Sequence, residues 1–344
     1  MKTPSKTARL VIAVVGSALL IAAAIDYTRI AAQRRPVASA NDEDLGTGPK
    51  IQVLTNGILS MVSRDHPGGP RTITSQACDR AYAAAGTVVC LRPVDAFTGT
   101  RLVVLDAQLH EQRSIPLTGF PNRARVSPSG RMVAWTLFID GHSYAGGSFS
   151  TSTGILDTRT GTVISSLEEF AVLKDGRRYR AADLNFWGVT FADDNRFYAS
   201  MSTGGHRYLV EGDIAARQVR TLAQDVECPS LSPDGTRIAF KHTIRGANQA
   251  TGAQNGHGGH DGPGITWRLS ILTLATQNVT HLAETRSVDD QATWLDDNTV
   301  AYSLQRPDGT NDVWAVPADG TGVPRLLIPE ANSPAPVVSW TSIS

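Results

Sequence analysis

Five side-chain constellations in this 344-residue chain are of types that do chemistry. His257-Gly-Gly-His260-Asp261 offers two imidazoles and a carboxylate, the ligand types of Zn²⁺. A catalytic zinc needs three protein ligands on a firm scaffold, and this run sits in the Gly/Asn/Gln-rich segment 247–264, whose composition is that of a flexible loop. It reads as a solvated loop. Asp193-Asp194 and Asp296-Asp297 are carboxylate pairs of the kind general acid–base chemistry uses. Both recur at the same point of a hairpin signal, so turn formation accounts for them. Gly146-Gly-Ser-Phe-Ser150 approaches the Gly-x-Ser-x-Gly nucleophile elbow and fails at its last position. The sequence has no Gly-rich phosphate loop with its Lys, no His-Glu-x-x-His and no Cys-x-x-Cys. The basic run Lys174-Asp-Gly-Arg-Arg-Tyr-Arg180 suits an anionic ligand or lipid headgroups, or else a solvated surface loop. No catalytic residue, metal or cofactor is assigned.

The cysteines, Cys78, Cys90 and Cys228, form the fifth group. Cys78 and Cys90 flank a hairpin almost symmetrically about residue 84, which would let them face each other across two strands. Cys90 also falls in a column of small buried residues, where it needs no partner. Both readings stand, and Cys228 reads as a buried thiol.

The elements that must position these residues come from a repeat. Its clearest copy is Leu231-Ser-Pro-Asp-Gly-Thr-Arg-Ile-Ala-Phe240. Pro233 presets φ for a tight turn, Asp234 suits the next position and Gly235 supplies the left-handed residue, so the flanking apolar residues pair as antiparallel strands. Related copies surround Ser127-Pro-Ser-Gly130, Ala192-Asp-Asp-Asn195 and Leu295-Asp-Asp-Asn298, with a weaker one at Ala83-Ala-Ala-Gly86. Asn195 and Asn298 are expected to take the left-handed position of Gly. The apolar residue before each turn forms a column, Tyr82, Val126, Phe191, Leu231, Trp294 and Trp340, spaced by 44, 65, 40, 63 and 46 residues. Units of roughly 40–45 residues built from four strands are propeller blades. The long spacings are one unit plus an insertion. A second column, Cys90, Ala134, Ala199, Ala239 and Ala301, supplies the small residue a strand packed between blades needs.

Trp340 opens a blade that the C-terminus cannot finish, while Ile58–Val62 and Arg71–Thr74 lack a first strand. Joined, they make a sixth blade and leave no exposed sheet edge. The expected fold is therefore all-β, a six-bladed β-propeller of four-stranded antiparallel blades over residues 50–344, preceded by an N-terminal hydrophobic leader helix.

That leader begins with Lys2, Lys6 and Arg9, followed by an uncharged run from Leu10 to Ile25. Sixteen helical residues rise about 24 Å, against a hydrocarbon core of about 30 Å. Residues 1–32 read as a signal peptide or a membrane anchor, and 33–49 as a linker. The chain is accordingly expected to be exported, held at the cell membrane or secreted after cleavage. The 32 Lys+Arg balance 32 Asp+Glu, which excludes bulk nucleic-acid binding.

Ser232–Phe240 resembles the repeat of TolB-type, WD-repeat-like six-bladed β-propellers, as does Asp312-Val-Trp-Ala-Val-Pro-Ala-Asp-Gly320 with Arg325-Leu-Leu327. Asp183–Phe191 with Phe197-Tyr-Ala199 is similar to a stretch of exported actinobacterial members. The resemblance covers roughly residues 50–344 and implies the fold; this propeller serves unrelated roles. TolB is a periplasmic interaction protein with a separate N-terminal domain, which residues 26–49 are too short to supply.

In a four-stranded meander, strands a to d, the a–b and c–d turns share one face and the b–c and d–a connections share the other. The long segments 139–152, 167–182 and 243–265 all fall on the b–c/d–a face. Long loops in a compact domain carry function. This face is expected to bind a protein or cell-envelope partner without catalysis, with Asp140, His142, Tyr144, Arg177, Arg178 and Trp187 as candidate binding residues. The alternative is an extracytoplasmic propeller enzyme with a polar or metal-assisted site in the central channel.

Overall fold

The computed structural model describes residues 48–95, 99–139, 150–245 and 265–337. Six separate sheets follow from the turn chemistry, numbered here from the first complete blade. Blade 1 comprises strands a to d at Arg80–Ala84, Thr87–Asp95, Gly99–Leu105 and Glu111–Leu117. Blade 2 runs Phe120–Val126, Met132–Ile139, Ser150–Asp157 and Val163–Ile164. Blade 3 runs Asn185–Phe191, Arg196–Thr203, His206–Asp213 and Gln218–Gln224. Blade 4 runs Glu227–Leu231, Arg237–Arg245, Ile265–Thr273 and Val279–His281, and blade 5 runs Thr293–Asp296, Thr299–Gln305, Asn311–Pro317 and Arg325–Ile328. Blade 6 takes strand a from Asn332–Val337 and strands b to d from Lys50–Thr55, Ile58–Ser63 and Arg71–Ala77. The a strands of all six neighbouring pairs touch, so they form a closed inner ring.

The closure differs from the expected one in its strand. The sequence reading started the shared blade at Trp340, which lies outside the described residues, whereas the strand that pairs with Lys50–Thr55 is Asn332–Val337. Pro334 and Pro336 make that stretch read as a loop. An innermost strand pairs on one side only, so prolines without an N–H are tolerated there. Three strands, not two, come from the N-terminal side.

Gly86, Gly130 and Gly235 adopt the left-handed conformation with φ of 78°, 81° and 71°. Asn195 and Asn298 do not, contrary to expectation. The Asp193 carboxylate instead accepts the N–H groups of Asn195 and Arg196 at 2.8 and 2.7 Å, and Asp296 accepts that of Asn298 at 2.9 Å. A side chain thus closes the turn without left-handed backbone. The second aspartates clasp the neighbouring blade: Asp194 accepts from Ser127 and Ser129, and Asp297 from the Asp234 N–H.

The small-residue column is buried throughout, with Cys90, Ala134, Ala199, Ala239 and Ala301 at most 1% exposed. Strand c supplies its own small residues: Gly154 lies under the Trp135 ring and Gly212 under the Phe197 ring, each without space for a Cβ. Cys78 and Cys90 are bonded, with Cα atoms 5.4 Å apart, which staples the blade 6 to blade 1 connection onto strand b of blade 1. Cys228 is free and buried.

Helix is confined, among the described residues, to a short 3₁₀ turn at Leu167–Glu169. None of their helices is long and apolar enough to cross a membrane; the leader expected at 1–32 lies outside them.

Candidate functional site at the channel mouth

Inner strands present every second side chain to the channel. On strand a of blade 1 these are Arg80 and Tyr82, and on strand a of blade 2 Arg123 and Arg125 form the alternating run Arg-Ala-Arg-Val. The guanidiniums stack as a ladder. Arg80 Nε and Arg123 Nη1 both donate to the Asn122 carbonyl at 2.9 Å, and Arg125 lies 4.4 Å above the Tyr82 ring. Arg80 stands at the outer end, while Arg123 and Arg125 are each 8% exposed.

The opposite wall is the connector from blade 4 to blade 5. Arg125 Nη2 reaches across the ring to the carbonyls of Gln291 and Ala292 at 3.0 and 2.8 Å. Gln291 Nε2 donates to the carbonyls of Val189 in blade 3 and Pro229 in blade 4, at 3.0 and 2.7 Å. Tyr82 Oη and Thr293 Oγ1 are 3.5 Å apart. The connector therefore bridges the channel to blades 2, 3 and 4, and Thr293, at the start of the strand it leads into, faces Tyr82 of blade 1.

Above this plug the charges alternate. Lys241 Nζ is 2.5 Å from Asp289 Oδ1 and 4.3 Å from the Trp267 ring centre, and Arg123 Nη2 is 3.8 Å from the same carboxylate. Burial pushes the Asp289 carboxyl up, but Lys241 and Arg123 outweigh it and leave it below its ordinary value. Burial lowers the Arg125 guanidinium below its ordinary range, against the opposing pull of Tyr82 and Asp290. Asp290 is fixed by the N–H groups of Gln291 and Ser303, at 2.8 and 2.9 Å.

A cleft of about 540 Å³ opens outward from these groups. Arg80, Asp289, Asp290, Gln305, Asn311 and Asn332 line it together with Ser287, Ser303, Leu304 and Ser333. All of them come from b–c or d–a ends of the blades. The lining is hydrogen-bonding and contains one apolar side chain, Leu304. Such a surface recognises polar ligands by several convergent contacts; a guanidinium in it suits carboxylates.

The predicted site residues are spread more widely. Asp140, His142 and Tyr144 lie outside the described residues, as do His257, His260 and Asp261. Trp187 is 3% exposed on the inner strand of blade 3. The insertion bearing Arg177 and Arg178 folds into a hairpin, Ala171–Lys174 with Arg177–Tyr179, whose first strand runs parallel to strand d of blade 3. The sheet order places that hairpin at the outer edge and Trp187 at the inner edge, five strands apart, or about 24 Å. The fold thus does not bring Arg177 and Arg178 together with Trp187. The exposed arginines protect a sheet edge there. A second cleft, about 390 Å³, lies beside this hairpin and includes Glu168, Phe170, Arg178 and Tyr179.

Sequence reasoning missed Arg80, Arg123, Arg125 and the connector 287–292. The signal was present: two arginines alternate within one strand, as Arg123-Ala-Arg125. Among the described residues, no group of three or more His, Cys, Asp or Glu side chains could hold a metal ion.

The fold and this plugged channel define a six-bladed β-propeller with four-stranded blades. No family model matches the chain, and no curated protein matches it in sequence. Among solved structures, it is similar to TolB from Acinetobacter baumannii, at 15% identity and a TM-score of 0.54, over 84% of this chain and 66% of that one. A chain of the nidogen/laminin complex superposes at 11% identity and a TM-score of 0.53, over 85% and 98% of the two chains. A puromycin-hydrolysing peptidase from Mycobacterium tuberculosis aligns at 15% identity and a TM-score of 0.45, over 80% and 42%. The chain thus spans just under two thirds of the TolB chain and under half of the peptidase. Its architecture is that of TolB-type propellers; at these identities the likeness speaks for the fold alone.

Proposed function

We propose that this chain is an exported, non-catalytic propeller that binds a protein or cell-envelope ligand through its b–c/d–a face, with residues 1–32 directing export or holding it at the membrane. The observation that carries this reading is the polar cleft at the channel mouth, built from blades 1, 5 and 6 and the connector that plugs the ring. The Gln291 and Arg125 bonds pin the connector whose Asp289 and Asp290 line that cleft, which gives a ligand a preorganised surface. The nidogen/laminin likeness joins the chain in fold to a protein found in a protein–protein complex.

The test is photo-crosslinking in intact cells from single positions. Adducts are expected from Asn311 and Asn332 at the cleft and not from Thr276, in the c–d turn of blade 4 on the other face. Equal adducts from Thr276, or none from the cleft, would sink the reading. The enzymatic alternative draws on the polar cluster of Lys241, Asp289 and Asp290. Metal analysis and substrate profiling of the purified protein separate the two: turnover abolished by Asp289→Asn would favour the alternative.

A further inference from the structure

The cleft at the channel mouth, about 540 Å³, is of small-molecule size, and its lining is not exhausted by contacts within the protein. Both of its carboxylates are engaged. Lys241 and Arg123 hold Asp289, and each oxygen of Asp290 accepts one backbone N–H. Arg80 gives Nε and Nη1 to the carbonyls of Asn122 and Asp79, at 2.9 and 2.8 Å, which leaves Nη2 without a partner among the described residues. The other free groups are uncharged. Gln305 and Asn311 stand directly opposite each other on strands b and c of blade 5, with Cβ atoms about 5 Å apart. Gln305 Nε2 donates to the Gly309 carbonyl at 3.2 Å, so its Oε1 stays available. The Asn311 carboxamide makes no hydrogen bond among the described residues. Asn332, at the start of strand a of blade 6, accepts from Ser333 Oγ at 3.0 Å and keeps its NH₂ group. Ser287 Oγ accepts the Trp267 N–H at 3.1 Å and retains its own proton to donate. Donors and acceptors are thus mixed around one opening, with Leu304 as its one apolar side chain.

We propose that the cleft binds a neutral saccharide, one sugar unit seated by its hydroxyls against Asn311, Asn332, Gln305 and Ser287, with Arg80 Nη2 as a further donor. Each hydroxyl donates and accepts, and adjacent hydroxyls of a sugar ring suit the two ends of a carboxamide. A cationic ligand would find both carboxylates engaged, and an anionic one would meet them beside Arg80. A protein ligand would call for the aromatic or apolar pocket that anchors an interface, which this lining does not offer. Such a site rests on the cleft being the binding surface proposed above, and it narrows the ligand there from a protein or cell-envelope component to a saccharide. A free sugar and a unit of an envelope polymer present the same hydroxyls.

The probe is an array of neutral hexose and N-acetylhexosamine oligosaccharides, offered to the purified full chain, with calorimetric titration of the strongest binder. Asn311→Ala and Asn332→Ala should each weaken its affinity about five- to tenfold. Thr276→Ala, on the other face, should leave it unchanged. Both asparagines are only half-buried, so the variants should melt with the wild type; if one fails to fold, the other decides. Binding to the oligosaccharides but not to isolated envelope polysaccharide would assign the site to a free sugar. Binding to both would assign it to the polymer, and either result supports the saccharide. Binding to no member of the array would overturn the proposal, as would an affinity that neither asparagine substitution changes. Protein adducts from Asn311 in intact cells, with no saccharide bound on the array, would refute the sugar and leave the binding function standing. Absence of both would sink the two together.

Discussion

Arg71 Nη1 lies 3.3 Å from the carbonyl oxygen of Glu330, a residue 259 positions later in the chain. The same guanidinium donates to Thr55 Oγ1 at 2.9 Å and to the Pro329 carbonyl, and it is 2% exposed. Strand d of blade 6 therefore grips the connector that delivers the closing strand. Beside it, Arg306 pairs with Asp312 at 2.6 Å, and Asp312 accepts the Glu330 N–H at 2.9 Å.

Arg71→Ala should weaken the closure strongly. It removes a buried donor set and leaves two carbonyls unpaired, for an expected loss of about 2–4 kcal/mol. Urea denaturation measures it, with the exposed Arg159→Ala as control. Deleting residues 332–344, which removes strand a of blade 6, should open the ring and expose Lys50–Thr55 to proteolysis. A truncated protein with an unchanged melting temperature would show that the ring is not held there.

The Cys78–Cys90 bridge closes a loop with a sequence separation of 12 residues. Loop-closure entropy for that length is worth about 3 kcal/mol. The double substitution to Ser should lower stability by that order, and reducing agent should do the same. Non-reducing mass spectrometry of the proteolysed wild type should recover the two peptides linked, with Cys228 alkylated only after unfolding.

Acid should unfold blade 2 through a particular ion pair. Asp157 accepts from Arg131 Nε at 3.0 Å, and that bond, with backbone N–H groups of the following turn, holds its carboxyl well below the ordinary range. A depressed folded value means that the stabilisation is complete above the unfolded value, about 3.9, and fades as pH falls from there toward the folded one. Asp157→Asn should lower stability at neutral pH and flatten its decline below about pH 4. Parallel acid limbs in wild type and variant would count against this assignment.

Gly154→Ala tests inter-strand packing. A Cβ there would lie 2.2 Å from the Trp135 ring and 2.6 Å from the Ile164 carbonyl. Neither neighbour has room to yield, so overpacking should cost about 1–3 kcal/mol. The exposed Gly176→Ala meets no neighbouring atom, yet its φ of 74° is unfavourable for Ala; a smaller loss is expected there by thermal unfolding.

The sequence by itself determined the blades. Pro233-Asp-Gly235 and its relatives specify tight turns, and the alternating apolar residues specify which face of each strand is buried; both are local properties, readable within ten residues. It also determined the number of blades, because the column from Tyr82 to Trp294 has a unit length. Only the tertiary structure decided how the ring closes and what fills it. The closing strand is hidden in Ser333-Pro-Ala-Pro336, whose prolines are acceptable because an innermost strand has one bonded neighbour. The site depends on pairs such as Arg125 and Gln291, 166 residues apart, whose meeting follows from blades 2 and 5 being opposite in a ring of six. Arg177 and Arg178 share a basic run and an insertion with no visible address, and it was pairing with strand d that sent them to the outer edge. Local turn chemistry encodes the repeating unit, whereas the convergence of distant side chains in the channel exists only once the ring has closed.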